Sequence, residues 1–290
     1  MMAPIVKHVT AVSAAILLFY LAGAPAGAFN ASHLSQLKTV KSCSGCDLSE
    51  ADLRGISLAS AVLTGSNLEA ANLSGANLAG ANLAEADLSG ANLSRTDLGM
   101  ANLRGARMVL ANLSDANLIG AKLGKAALSF AVLNGADLRG AELDGVSLNG
   151  VKLQGANLVR MDLSGLDLGG TDLSKANASE VRFIGTDLRN ANLSGTELNE
   201  ADLSGADLGG ANLDGTNLTR ARNLTGLKLA GATLIKANLN RLDLSGADLS
   251  KANLSGAKLS GTKLDGARLG GATWIDGRTC PEGSLGQCGN

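Results

Sequence analysis

The chain has 290 residues, of which 25 are Lys or Arg and 26 are Asp or Glu, so its formal net charge is −1. It holds 38 Gly but only three Pro and 2% aromatic residues, too few for a conventional aromatic-rich core. The charge is unevenly spread: residues 29–219 hold 14 basic and 21 acidic residues, and residues 220–290 hold 10 and 5. Neither part has the strongly basic character typical of a nucleic-acid-binding protein.

Residues 1–28 have the organisation of a secretory signal peptide. Lys7 precedes an apolar run from Val9 to Ala22, and Ala26-Gly27-Ala28 forms a small-residue cleavage site. The apolar run is shorter than the roughly 20 residues that a membrane-spanning helix needs. We therefore predict an exported protein, located in the periplasm or, depending on the organism, in the thylakoid lumen or outside the cell. Once this segment is removed, no part of the remaining protein is predicted to insert into a membrane. The alternative is that the segment stays uncleaved and anchors the protein in the membrane.

Residues 29–45 are predicted to form an N-terminal cap. Apolar residues recur every three positions from His33 to Lys41, which predicts a short helix with Ser32 as its N-cap. Such a helix would cover the open end of a repeat structure. The motif Cys43-Ser44-Gly45-Cys46 follows it, and His33 has no neighbouring residues that would complete a metal site.

Residues 46–274 carry a five-residue repeat, well shown by the stretch SNLEA ANLSG ANLAG ANLAE ADLSG that starts at Ser66. Leu occupies every fifth position from Leu48 to Leu218, with three exceptions, Met108, Ala178 and Phe183. A regular helix would scatter these leucines around its axis, and a long strand would alternate them between its faces. The small residue and the Leu of one unit lie two apart and share a face, so each unit forms one side of a coil.

The remaining two residues of each unit are predicted to turn the corner. The recurrent Gly suits a type II turn, which needs a positive φ at its third residue. Ala and Leu then point inward, while Asn or Asp and the variable positions point outward.

These units, among them ANLSG, ANLAG and ADLSG, resemble the A(D/N)LxG consensus of the pentapeptide repeat protein family. The resemblance implies an all-β solenoid, a right-handed quadrilateral β-helix with four sides and 20 residues per coil. It implies about 11–12 coils and a rod on the order of 55 Å long at strand spacing. The ends, CSGCDL and DGRTCPEGSLGQC, resemble those of secreted members, with a short N-terminal helical cap and a disulfide-bearing C-terminal cap over residues 275–290.

Four cysteines allow three pairings, but disulfide Cα atoms lie within about 7 Å and the rod separates its two ends by far more. We predict a bond between Cys280 and Cys288. Cys43 and Cys46 are a candidate second pair; two buried thiols or a redox pair are the alternatives. Trp274, at the last inward position, is predicted to cover the final coil.

Departures from the repeat carry further predictions. Ala178 leaves a hole at a Leu position, and the Phe183 ring, one side later, is expected to fill it partly. A one-residue insertion near 221–223 shifts the register, which resumes at Leu224.

Positions 20 apart are expected to stack on one side or corner of the coil. Opposite charges then meet in three pairs, Arg95 with Asp115, Arg160 with Glu180 and Glu200 with Arg220. The like-charge column Asp167, Asp187 and Asp207 is predicted to be a set of solvated carboxylates; a divalent-cation site is the alternative. Outward apolar residues cluster at Val109, Leu110, Phe130 and Val132, the candidate interaction patch; a few tolerated apolar surface residues are the alternative.

The sequence predicts no catalytic, cofactor-binding or metal-binding residues, because the repeats hold no His and the four Cys lie at opposite ends. It favours a non-enzymatic secreted scaffold that binds an unknown protein or envelope partner, with no nucleic acid as ligand and homodimerisation left open. The alternative comes from the family resemblance: some members mimic DNA and bind type II topoisomerases, which protects them from quinolones or toxins. Such mimicry needs a strongly acidic cytoplasmic rod, which the export segment and the basic C-terminal part oppose.

Overall fold

The computed structural model describes residues 29–289, so the predicted signal peptide lies outside the described residues. Helix α1 (Ala31–Val40) opens this part of the chain and buries Leu37 against the first coil. Ser32 is not its N-cap: Asn30 is, since its side chain accepts a hydrogen bond of 2.9 Å from the Ser32 backbone N–H. Lys41 ends the helix in the left-handed conformation, with φ 51°. Nowhere in residues 29–289 is a helix long and apolar enough to span a membrane.

The rest of the described chain winds into a coil with 20 residues per turn. The second residue of most units forms an isolated parallel bridge to the residue 20 positions later, from Ser42–Val62 to Asn253–Thr273, with a spacing of 21 around the insertion. Four units therefore complete one turn, which confirms the four-sided coil predicted from the family resemblance. Each side pairs through a single residue, and within residues 29–289 no side extends into a multi-residue strand.

Most sides exchange backbone hydrogen bonds with the coil before them and the coil after them. The Asn67 N–H donates to the Cys46 carbonyl at 2.8 Å, and the Leu68 N–H donates to the Asp87 carbonyl at 2.7 Å. The inward small residue and Leu are fully buried along most of the rod, as at Ala71 and Leu73. The core is therefore a continuous stack of Ala and Leu layers, with the backbone polar groups paired between layers.

Corners have the features of a type II turn. The Ala71 N–H donates to the Leu68 carbonyl at 3.0 Å, and the third turn residue, Ala70, has a φ of 54°. The repeated Asn or Asp stabilises the same corner: the Asn67 side chain accepts a hydrogen bond of 3.1 Å from the Glu69 N–H. This local bond explains why Asn and Asp, rather than other polar residues, occupy the second position.

Corner glycines allow a direct test of this geometry. Gly75 has a φ of 65°, and a β-carbon there would meet no atom within 4 Å, so alanine would suffer backbone strain alone. We expect Gly75→Ala to lower the free energy of unfolding by about 1 kcal/mol, measured by urea denaturation. The matched control is Ala70→Gly, which relieves strain at an equivalent corner and should not destabilise the protein. Equal loss of stability in both variants would contradict the assignment.

The insertion is accommodated within one side of the coil. Bridges change from a spacing of 20 at Asp202–Arg222 to 21 at Asp207–Lys228 and return to 20 at Lys228–Asp248. Asn223 takes a left-handed φ of 59°, and its side chain donates to Asp202 at 2.9 Å. Leu224 is buried, so the predicted recovery of register is confirmed.

At the C-terminal end, the chain turns back over the last coil. Antiparallel bridges join Arg268 to Leu285 and Thr273 to Thr279, so this segment covers two of the four sides. Cys280 and Cys288 are joined, with Cα atoms 4.9 Å apart. Trp274 packs against the core and is half-buried.

Candidate interaction surface

Leu110 and Phe130 lie at the same corner of consecutive coils. The Leu110 N–H donates to the Ser129 carbonyl at 3.1 Å, which ties the two corners together. Both side chains remain exposed, Leu110 by 39% and Phe130 by 49%. They therefore present adjacent apolar side chains to solvent on one edge of the rod.

The Phe130 ring lies against the next corner of the same column. A β-carbon on Gly150 would be 2.7 Å from the ring's Cδ1, so the absence of a side chain at Gly150 makes room for the ring. The ring is thus supported from one side by backbone while its other side faces solvent.

Val109 and Val132, the other two members of the predicted patch, flank this corner and are half-buried. Val109 precedes Leu110 in the turn, and its carbonyl accepts a hydrogen bond of 2.9 Å from the Gly90 N–H. Val132 forms bridges to Asn112 and Lys152 on the adjoining side. These two valines extend the apolar surface onto the turn and the neighbouring side. The exposed part of that surface comes from Leu110 and Phe130.

Met100 is a further exposed apolar residue that our sequence analysis did not identify. Its side chain is 68% exposed and lies over Gly120, on the corner opposite to Leu110. The sequence did contain a signal for this residue: Met100 is apolar at a corner position where Gly or a charged residue is usual.

The three predicted opposite-charge stacks are confirmed. Arg95 lies 3.8 Å from Asp115, Arg160 lies 2.9 Å from Glu180, and Arg220 lies 3.3 Å from Glu200. All three pairs are solvent-exposed, so each contributes little to stability. Their effect is to neutralise charge locally along the corners.

The Asp167, Asp187 and Asp207 column is also stacked, with bridges joining its members in turn. Basic side chains lie beside the column: the Arg189 Nε donates to Asp187 at 2.9 Å, and the Lys228 Nζ lies 3.4 Å from Asp207. Hydrogen bonds from the Arg189 side chain and backbone lower the pKa of Asp187 to about 2. The column is thus a partly neutralised surface and not an isolated cluster of carboxylates.

The N-terminal end holds the remaining residues that were considered for chemistry. The structure joins Cys43 to Cys46, with Cα atoms 5.3 Å apart, and buries both. His33 Nδ1 accepts a hydrogen bond of 3.0 Å from the Asp47 N–H, which links α1 to the first coil. Within residues 29–289, no group of three or more His, Cys, Asp or Glu side chains is arranged to hold a metal ion.

Comparison with known proteins agrees with the repeat geometry. The family model "Pentapeptide repeats" matches in consecutive copies between residues 42 and 273. The solved structure of HetL, a pentapeptide repeat protein involved in heterocyst differentiation regulation in Nostoc sp. strain PCC 7120, is 32% identical. That match covers 91% of this chain and 97% of HetL, with a TM-score of 0.35. Comparison with curated proteins gives no match.

The chain is also similar to two further solved structures. Rfr23 from Cyanothece 51142 is 33% identical over 40% of this chain and 92% of its own, with a TM-score of 0.39. QnrB1, a plasmid-mediated fluoroquinolone resistance protein, is 21% identical over 74% of this chain and 89% of its own, with a TM-score of 0.37. The family model matches most of the chain, between residues 42 and 273, so the chain belongs to the pentapeptide repeat family.

Proposed function

We propose that the protein is a non-enzymatic scaffold that binds another protein through the apolar corner formed by Leu110 and Phe130. The observation that carries this proposal is the exposure of two large apolar side chains in consecutive coils. Export to the periplasm or an equivalent compartment is part of the proposal and is supported by the signal-like segment at residues 1–28. The partner is then a protein of that compartment or of the cell envelope.

Backbone conformation adds support. Leu110 and Phe130 have φ values of 61° and 59°, whereas the same corner in the flanking coils is Gly90 and Gly150. A side chain in this conformation costs roughly 1–2 kcal/mol relative to its ordinary conformation. Most other non-Gly corner residues with a positive φ are polar or charged. Two large apolar residues that carry this cost in consecutive coils, with their side chains in solvent, fit a binding role better than a stabilising one.

The test is capture of partners by the double variant Leu110→Ser, Phe130→Ser. We expect at least about a tenfold loss of partner capture by crosslinking in the native compartment, because exposed apolar anchors dominate such contacts. Sedimentation of the purified protein shows whether the partner is a second copy. Met100→Ser, which removes an exposed apolar side chain from the opposite corner, is the matched control. Unchanged capture and sedimentation in the double variant would refute the proposal.

DNA mimicry has less support. A DNA mimic needs an uninterrupted acidic surface, but the longest acidic column here is accompanied by Arg189 and Lys228, and the C-terminal part carries excess basic charge. Cell fractionation separates the two hypotheses. A cytoplasmic protein would remove the main support for an exported scaffold.

A further inference from the structure

A seam away from the insertion interrupts the hydrogen-bonded ladder of the rod. The seam lies between residues 140–150 and residues 159–172, which are consecutive coils. Within the described chain, eight backbone N–H groups at this position do not donate to the neighbouring coil, although their equivalents in the preceding coils do; they belong to Gly140, Leu143, Gly145, Leu148, Gly150, Asp162, Asp167 and Asp172. The bridges expected between Glu142 and Asp162 and between Ser147 and Asp167 are also absent from this part of the structure.

Both ends of the seam are closed. The Leu138 N–H donates to the Asn157 carbonyl at 3.0 Å, and the Leu153 N–H donates to the Asp172 carbonyl at 2.8 Å. Between these points lies a cleft of about 320 Å³, whose lining includes Leu143 and Leu166. Leu143 is 8% exposed, whereas Leu123, one coil earlier, is 0% exposed. The core is therefore partly uncovered at the seam.

The sequence supplies a physical cause. The inward small position, usually Ala, is Met161 on one open side and Leu166 on the other. These residues stack on Ala141 and Val146 of the coil before. Added volume in a close-packed layer forces backbone displacement. On the next side Val151 faces the smaller Thr171, and there the bridge between Lys152 and Asp172 forms.

Thr171 gives independent evidence of the displacement. Most inward Thr residues donate their hydroxyl to the Leu carbonyl 23 residues earlier, as Thr96 does to Leu73 at 2.9 Å and Thr186 to Leu163 at 2.8 Å. Thr216 instead donates to Leu213, three residues earlier. By the same rule Thr171 should donate to Leu148, which lies on the displaced edge. The Thr171 hydroxyl is buried and has no partner among the described residues.

We propose that Met161 and Leu166 make this seam a joint, at which the two closed parts of the rod open and close against each other. Closure would form the missing ladder bonds and bring the Leu148 carbonyl to the Thr171 hydroxyl. Opening is favoured by the volume of the two bulky side chains. The hydrogen bonds that the Leu138 and Leu153 N–H groups donate to the next coil confine the motion to two sides of one coil interface.

Hydrogen exchange of the full chain tests the joint. The amides of Leu143, Gly145 and Leu148 should exchange at least about 100-fold faster than those of Leu123, Lys125 and Leu128, their equivalents one coil earlier. Restoring the consensus with Met161→Ala, Leu166→Ala should close the seam and slow these amides to the rate of their equivalents. Ile56→Ala, a bulky-to-small change at a closed interface, is the control and should leave the seam amides unchanged. Equal protection in the unaltered protein, or fast exchange that persists in the double variant, would overturn the proposal.

Thermal unfolding of two threonine variants provides a second readout. Thr186→Ala removes a made hydrogen bond and should lower Tm by several degrees. Thr171→Ala removes a hydroxyl without a partner and should leave Tm unchanged or raise it. A loss of Tm for Thr171→Ala equal to that for Thr186→Ala would show that the seam is closed in solution.

Discussion

Replacing Phe183 with Ala is expected to lower the free energy of unfolding by about 3–5 kcal/mol, one of the largest effects of any single substitution in the rod. Among residues 29–289, Phe183 is the largest fully buried side chain, and it occupies an inward position where most units have Leu. Ala178, one side earlier in the coil, is also fully buried and is smaller than the usual Leu. Urea denaturation with circular dichroism measures the loss.

A double-mutant cycle tests whether the Phe183 ring fills the space left at Ala178. We expect Phe183→Leu alone to cost about 1–2 kcal/mol and Ala178→Leu alone to destabilise by overpacking. Together they restore the consensus and should recover most of the loss, with a coupling of at least about 1 kcal/mol. Additive effects would show that the two positions are independent.

Removing the C-terminal disulfide by Cys280→Ser, Cys288→Ser is expected to cost about 2–3 kcal/mol, as predicted for a loop of this length. The bond holds the segment that pairs with the last coil through Leu285 and Thr279. Its loss should uncover the buried Leu269 and start unfolding from this end. Denaturation together with limited proteolysis measures the loss and locates it.

The matched control is Cys43→Ser, Cys46→Ser at the other end of the rod. Its loop spans three residues instead of eight, so a smaller loss is expected, with proteolysis confined to the N-terminal end. If the C-terminal variant kept full stability, the segment would be held by its backbone bridges alone.

The four-sided coil and its stacked columns could be predicted because the repeat is strictly periodic. Once one unit forms one side, the family's 20-residue coil fixes which residues are neighbours, as Arg160 and Glu180 show. Local hydrogen bonds were harder to predict: Asn30, not Ser32, caps α1. The right-handed sense of the coil and export of the protein stay predictions, since the first rests on family resemblance and the second on residues outside the described part.

The seam was missed for a different physical reason. Met161 and Leu166 are unremarkable apolar residues at inward positions within their own units. Whether they displace the backbone depends on the residues they stack on in the preceding coil, and on the displacement that adds up over two adjacent sides. Packing of this kind is a property of pairs of coils, so a reading unit by unit does not detect it.

The constant spacing of the bridges has a consequence for how such a protein changes in size. Bridges before the insertion join residues 20 positions apart, so removing residues 81–100 would join Gly80 to Ala101 and keep all the remaining columns aligned. The rod can therefore be shortened or lengthened by gene-level loss or duplication in steps of one coil, about 4.8 Å each. The number of coils thus sets the length of the rod.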